Sequence, residues 1–371
     1  MNKNTSQKLI GYRVKAARET KSWTQDQLAS ALSLNDRQSI SDIENGKRAL
    51  KPDELVLLTE VLDHDIEFFL DPFCIAGEAQ FSWRASPEID EKNLNDFETK
   101  AGKWIGLLRW LRENEQDCVN PLKHTLRLTK QSSYEDAISC AENLGKKMKL
   151  GNIPTDSLLE SIETKLEIPV LFVDTIKTPK GHSVSGATCH LQDFGVILIN
   201  RNESEARRYY DLAHELFHVL TWDAMKPAHR ESNSYEDRTH AKRIEQLADN
   251  FASALLMPKN SLESLIGHTR LNDVGYLIKI ASKLRVSPVA LAWRLFNLKW
   301  INEDILNSLK DERQHSLFSP KPFSQNFIKL LYNSIDCGRL SARKAAKAMS
   351  MNLMQVKELF AEYSLSIPFD L

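Results

Sequence analysis

The sequence predicts a mainly α protein with a small α+β domain, and three observations carry that reading. At 371 residues the chain is longer than one typical domain, so two or three domains, each with its own core, are expected. Over most of its length apolar residues recur every three or four positions between cap signals, the mark of amphipathic helices. Between residues 168 and 200 this gives way to three short β-branched or alternating runs, IPVLFVD, SVSGATCHL and GVILIN, which read as strands. The expected divisions are 1–72, a helical linker over 73–144, the α+β domain over 145–312 and a small helical module over 320–371.

Charge and cysteine content bound the function. A formal net charge of −1 gives no global attraction to nucleic acid, so any such affinity must be local. Residues 1–51 hold ten Lys or Arg against five Asp or Glu, whereas residues 52–72 hold seven acids and no base. The five cysteines, Cys74, Cys118, Cys140, Cys189 and Cys337, contain no CxxC pair, which argues against a cysteine zinc knuckle and a disulfide scaffold. No stretch approaches the roughly 18 apolar residues of a membrane span, and MNKNTSQKLIGYR lacks an apolar leader core. A cytoplasmic protein without a membrane partner is the expectation.

The first seventy residues read as short helices: KLIGYRVKAARE, TQDQLASAL, DRQSISDIENG and KPDELVLLTEVL. Thr24 with Gln27 three residues on predicts a capping box, and Leu28, Ala31 and Leu32 share one helical face. Asn45-Gly46 is a stop signal, and Pro52 suits a first helical turn with Leu55, Leu58 and Leu62 behind it. Two short helices joined by a tight turn in such a cluster can put a helix end into a major groove. TQDQLA followed by ISDIENGKRAL resembles the XRE, or Cro-repressor type, helix-turn-helix over about seventy residues, with Gln25, Leu28, Ala29, Ile40, Ile43, Glu44, Gly46 and Arg48 in pattern. The spacing from Gln25 to Glu44 is one residue longer than that family's, and Ser33 replaces its turn glycine. The resemblance implies a double-stranded DNA operator, with Arg37, Gln38, Ser39 and Ser41 toward base edges and Gln25, Lys47 and Arg48 toward phosphates.

From Pro87 to Glu113, Phe97, Ala101, Trp104, Leu108 and Leu111 recur at helical spacing. This stripe is either an intrachain packing face or the seam of a homodimer, the arrangement expected of a reader of paired half-sites.

The segment SEARRYYDLAHELFHVLTWD has no proline or glycine and reads as a helix. On it His214 and His218 are one turn apart and can share one divalent ion, with Glu215 beside them to take a proton from water. Thr221 and Ala224 exclude the metzincin continuation. The third ligand is sought in the second helical run, RIEQLADNFASALLMP, where Glu245 and Asp249 sit one turn apart beside an apolar face. One carboxylate can ligate while the other orients a ligating histidine. His229 and His240, in the polar loop between the two helices, are alternatives.

AHELFH, the block from Glu245 to Pro258, ILIN at 197–200, SG at 185–186 and VSPVALAWRL at 286–295 together resemble the ImmA/IrrE family of zinc metallopeptidases over about 160 residues. That resemblance implies a zincin-like α/β domain in which His214, His218 and Glu245 ligate the metal, Glu215 is the general base and Asp249 stands behind a ligand. Phe217 stands where that family often has glycine. Zn2+ is implied, with Mn2+ compatible with the same donors. It also implies a protein substrate, a repressor of the XRE type. The alternative is an antitoxin-like or phage-related autoregulator that uses the fold to sense or to hold a partner such as a toxin. SPKPF at 319–323 reads as a linker, and the last fifty residues as two or three helices, with Ser341 a helix cap.

Overall fold

The computed structural model describes residues 3–114, 125–178, 183–191, 194–230, 240–267, 270–310 and 318–369. In chain order these form α1 (Lys3–Thr20), α2 (Gln25–Ala31), α3 (Arg37–Glu44), α4 (Pro52–Leu62), α5 (Ile66–Leu70), β1 (Gln80–Ala85), α6 (Glu91–Asn114), α7 (Tyr134–Met148) and α8 (Leu158–Lys165). There follow β2 (Val170–Val173), β3 (Val184–His190), β4 (Gly195–Asn200), α9 (Glu205–Thr221), α10 (His240–Leu256), α11 (Lys259–Ile266) and α12 (Val274–Leu284). The chain ends with α13 (Pro288–Asn297), α14 (Glu303–Lys310), α15 (Gln325–Asp336), α16 (Ala342–Met349) and α17 (Leu353–Glu362). Among the described residues no helix is long and apolar enough to cross a membrane.

Two compact units result. The first joins residues up to Gln80 with Asn95–Val119 and Gln325–Leu371; the second holds Phe81–Leu94 and Asn120–Ser324. The stretch 73–144 is therefore shared between the units, and the helices after residue 325 belong to the same unit as the N-terminal cluster.

In the first unit, the Thr24 hydroxyl accepts from Gln27 N at 3.2 Å while Gln27 Oε1 accepts from Thr24 N at 2.7 Å, closing the capping box at the start of α2. Leu28, Ile40, Ile43, Leu58 and Phe69 make the core behind α2 and α3. Ser33 has φ 55°, the left-handed conformation that explains why a glycine suits this turn. Gly46, with φ 68°, ends α3 where a Cβ would lie 2.8 Å from the Lys8 Cα, so no side chain fits there. A buried pair, Arg18 Nε to Glu44 Oε1 at 2.6 Å, ties α1 to α3. On α6 the whole stripe of Phe97, Ala101, Trp104, Leu108 and Leu111 is buried. Trp104 Nε1 donates to the Met349 carbonyl at 3.2 Å, so α16 of the same unit packs on this face. The stripe thus serves an intrachain core and offers no dimer seam.

The second unit is a four-stranded mixed sheet in the order β1-β3-β4-β2, with β3 antiparallel and β2 parallel to β4. Every residue of β4 is buried, which is why it reads as one apolar run. α9 packs on β3 and β4, and α10 packs on α9 and α7. Phe217 and Phe251 meet at 5.4 Å between ring centroids inside this core. Phe217 is fully buried, its bulk filling the α9–α10 contact. The SPKPF stretch does not hang loose: Phe323 is buried and its N–H donates to the Phe172 carbonyl of β2 at 2.5 Å.

Replacing Trp104 by alanine is expected to cost the first unit about 3–5 kcal/mol through the cavity and the lost hydrogen bond, read as a lower urea midpoint of its unfolding transition.

Candidate metal centre and nucleic-acid face

Helix α9 begins at the cap Ser204, whose hydroxyl accepts from Arg207 N, and it runs unbroken to Thr221 with Asp211, His214, Glu215 and His218 all buried. His214 Nε2 and His218 Nε2 are 3.1 Å apart. Glu245 Oε2, from α10, lies 3.1 Å from the first and 3.6 Å from the second. Ligand atoms about 2.0–2.1 Å from one tetrahedral centre stand about 3.3–3.4 Å apart, so three donors at these separations outline one face of such a polyhedron. Two imidazole nitrogens and a carboxylate oxygen suit a divalent transition metal. Among the described residues, these three form the cluster of His, Cys, Asp or Glu able to hold a metal ion. His229 is exposed and outside that cluster, and the His240 side chain lies outside the described residues.

The surroundings orient the cage. His214 Nδ1 lies 3.0 Å from Asp249 Oδ1, leaving Nε2 to face Glu245. Tyr210 donates from its hydroxyl to the same oxygen at 3.1 Å, and burial together with the nearby Asp249 charge pushes its phenol above the ordinary value, so it stays protonated. Burial alone raises the Glu245 carboxyl, but His218 and His214 outweigh that and hold it well below the usual carboxylate range. The Thr188 hydroxyl of β3 donates to Glu215 Oε2 at 2.7 Å. At Gly186 a Cβ would lie 3.0 Å from the Leu198 carbonyl oxygen and 3.5 Å from Glu215 Cγ, so the bare backbone lets β3 run over this carboxylate.

In the first unit, Asp36 caps α3 by accepting from Ser39 N at 2.8 Å. Arg37 and Gln38 are exposed at the start of α3, while Ser39 and Ser41 are partly covered. Gln25 bridges inward and outward: its Nε2 donates to Glu44 at 2.7 Å and its Oε1 accepts from Arg37 Nε at 3.0 Å. Gln38 Nε2 donates to Asp42 at 2.8 Å. Lys47 is exposed. Arg48 is engaged differently from the phosphate contact expected of it: its guanidinium forks onto the Glu54 carboxylate at 3.0 and 2.5 Å, fastening the turn before α4 to that helix.

The family model described as helix-turn-helix matches residues 14–69, and the peptidase family model described as IrrE N-terminal-like domain matches residues 168–296. The chain joins an XRE-type helix-turn-helix to an IrrE-like domain. No curated protein and no solved structure matches the chain. The helix-turn-helix match supports DNA binding by the first unit, and the IrrE-like match makes the second metallopeptidase-like. Within the second unit, sequence reading missed Thr188, Tyr210, Asp211 and Arg84. Asp211 had a signal, since it lies one turn before Glu215 on the same helix face. Arg84, 3.5 Å from Asp211, had none, being more than a hundred residues away in sequence.

The Arg48–Glu54 pair gives a pH test. Burial works to raise the Glu54 carboxyl, but the Arg48 hydrogen bonds and the Lys51 N–H bring it below its ordinary value. A carboxylate depressed in the folded state stabilises that state above its unfolded pKa, and the contribution fades as pH falls through the folded one. Glu54→Gln is expected to cost the helix-turn-helix unit about 1 kcal/mol at pH 7 and progressively less below about pH 4, measured by denaturant titration across pH.

Proposed function

We propose that this is a DNA-binding regulator whose IrrE-like domain is a metal-dependent endopeptidase acting on a repressor-type protein. The observation that carries the reading is the convergence of His214 Nε2, His218 Nε2 and Glu245 Oε2 to within 3.6 Å of one another, with Glu215 buried next to His214 on the same helix. In the reaction we assign, those three side chains hold a divalent cation, with zinc the first choice and manganese the second. When bound, the cation supplies Lewis acidity that acidifies water and polarises the scissile carbonyl. Glu215 takes the proton of the attacking water and passes it to the departing amine. Thr188 keeps the Glu215 carboxylate turned to that task, and Asp249 holds the His214 ring with Nε2 toward the cation. At the other end of the chain, Arg37, Gln38, Ser39 and Ser41 contact base edges of an operator and Gln25 and Lys47 its phosphates, with two copies of the chain on paired half-sites.

A second reading, an antitoxin-like autoregulator that uses the fold as a sensor or partner-binding body, is favoured by the complete burial of Glu215 and His218, both 0 % exposed.

Three measurements test these assignments. Protein purified without added metal is expected to carry about one divalent ion per chain by elemental analysis, and His214→Ala to lose it. Equal metal in the variant and the parent removes the centre. Glu215→Gln is expected to keep the metal and to lower cleavage of a repressor substrate by roughly 10²–10⁴-fold; unchanged regulation in cells with metal still bound favours the sensor. Lys47→Ala should weaken operator binding evenly across sequences and reduce its salt slope by about one, measured by titration at several salt concentrations.

A further inference from the structure

β3 is the strand that runs over the proposed base, through the Thr188 hydroxyl at 2.7 Å from Glu215 Oε2 and through Gly186. One backbone edge of β3 is used by β4, with Gly186 opposite Ile199 and Thr188 opposite Ile197. An extended peptide that is to reach Glu215 has the other edge to pair with, because backbone hydrogen bonding to a sheet edge is how a site holds a chain straight without regard to its sequence. That edge is taken by the chain itself.

β1 pairs with β3 there. The Ser86 N–H, just past β1, donates to the Ser183 carbonyl, just before β3, at 3.4 Å, so the end of one strand meets the start of the other. The pairing continues inward from there along β3, the strand that carries Gly186 and Thr188. Arg84 places β1 beside α9. Its Nε is 3.5 Å from Asp211 Oδ1 and its Nη2 3.9 Å from Asp249 Oδ1. Asp211 precedes Glu215 by one helical turn, about 5.4 Å, which fewer than two extended residues at about 3.3 Å each span. On its far side the strand is held by residues 228–230: Trp83 N donates to the His229 carbonyl and the Ser82 hydroxyl to the Ala228 carbonyl, each at 2.8 Å. Arg230 adds bonds to the carbonyls of Ser86 and Ile89. With β1 in place, His214, Glu215 and His218 are 1 %, 0 % and 0 % exposed.

We propose that the β3 edge is the peptide-binding edge of this centre and that β1 is its resident occupant, so that the substrate is an extended segment presenting an arginine to Asp211 and the centre stays latent until β1 leaves. This rests on the peptidase reading. The segment FSWRA of the chain is then its own template for what the edge accepts: an aromatic residue, an arginine and a small residue in succession.

Hydrogen exchange on the full chain tests the occupancy without any reaction. The Phe81–Ala85 amides are expected to open locally and to exchange about ten-fold or more faster than those of β4, and Arg84→Ala to speed them further while leaving β4 unchanged. Exchange of β1 together with β4 in both proteins makes β1 a permanent strand and overturns the proposal. A second variant, Ser86→Cys combined with Ser183→Cys, ties β1 to β3 at positions outside the proposed machinery. Oxidised, it is expected to lose cleavage of a peptide containing Phe-Ser-Trp-Arg-Ala and to release its metal to a chelator about ten-fold more slowly; reduction should restore both. Equal cleavage and equal metal release in the two redox forms also overturn the proposal. No cleavage in either form counts against the peptidase reading alone, and the exchange and chelator measurements then decide the occupancy of the edge.

Discussion

The second unit is organised by the polar face of α9. A helix that buries Asp211, His214, Glu215 and His218 together is unstable unless each group finds a partner, because an unpaired buried charge costs several kcal/mol. Each partner comes from a different element. α10 supplies Glu245 and Asp249 to the histidines, β3 supplies the Thr188 hydroxyl to Glu215, and β1 supplies Arg84 to Asp211, which Arg207 also meets at 3.0 Å. The sheet and the two helices are thus registered by electrostatics, while Phe217, Phe251 and the residues of β4 fill the volume between them.

The N-terminal unit solves a smaller version of the same problem. Arg18 and Glu44 neutralise each other in the interior, and Glu44 also accepts from Gln25, which in turn accepts from Arg37. A buried pair so placed fixes the angle between α1 and α3, and the chain of bonds carries that order to exposed residues at the start of α3. A reading surface gains from such order, since side chains already held in place lose less entropy on binding. Arg48 is spent on Glu54, so the turn after α3 owes its shape to an ion pair and less of its charge is directed outward.

Much of the fold was legible because its signals are local. The Thr24 capping box, the Pro52 start, the Gly46 stop and the three strands at 170–173, 184–190 and 195–200 depend on residues within one turn or one strand of each other. β1 was missed because QFSWRA is short, carries an arginine and lacks β-branched residues; it is a strand by virtue of its partners on both sides. The stripe on α6 was readable as apolar, yet periodicity is silent on what covers a stripe, and α16 lies more than two hundred residues away. The resemblance to two families points to candidate residues, and packing sets the distances among them.

By itself, then, the sequence determined the helices, the caps and the i, i+4 placement of His214 and His218, because backbone hydrogen bonding and helical pitch are set by neighbours along the chain. Tertiary structure alone decided that Glu245 closes on those two rings, that Arg48 turns to Glu54 and that β1 pairs with β3. These contacts join side chains or strands whose meeting depends on how whole elements pack, and packing is a sum over many weak contacts and a few buried charges that no local pattern records.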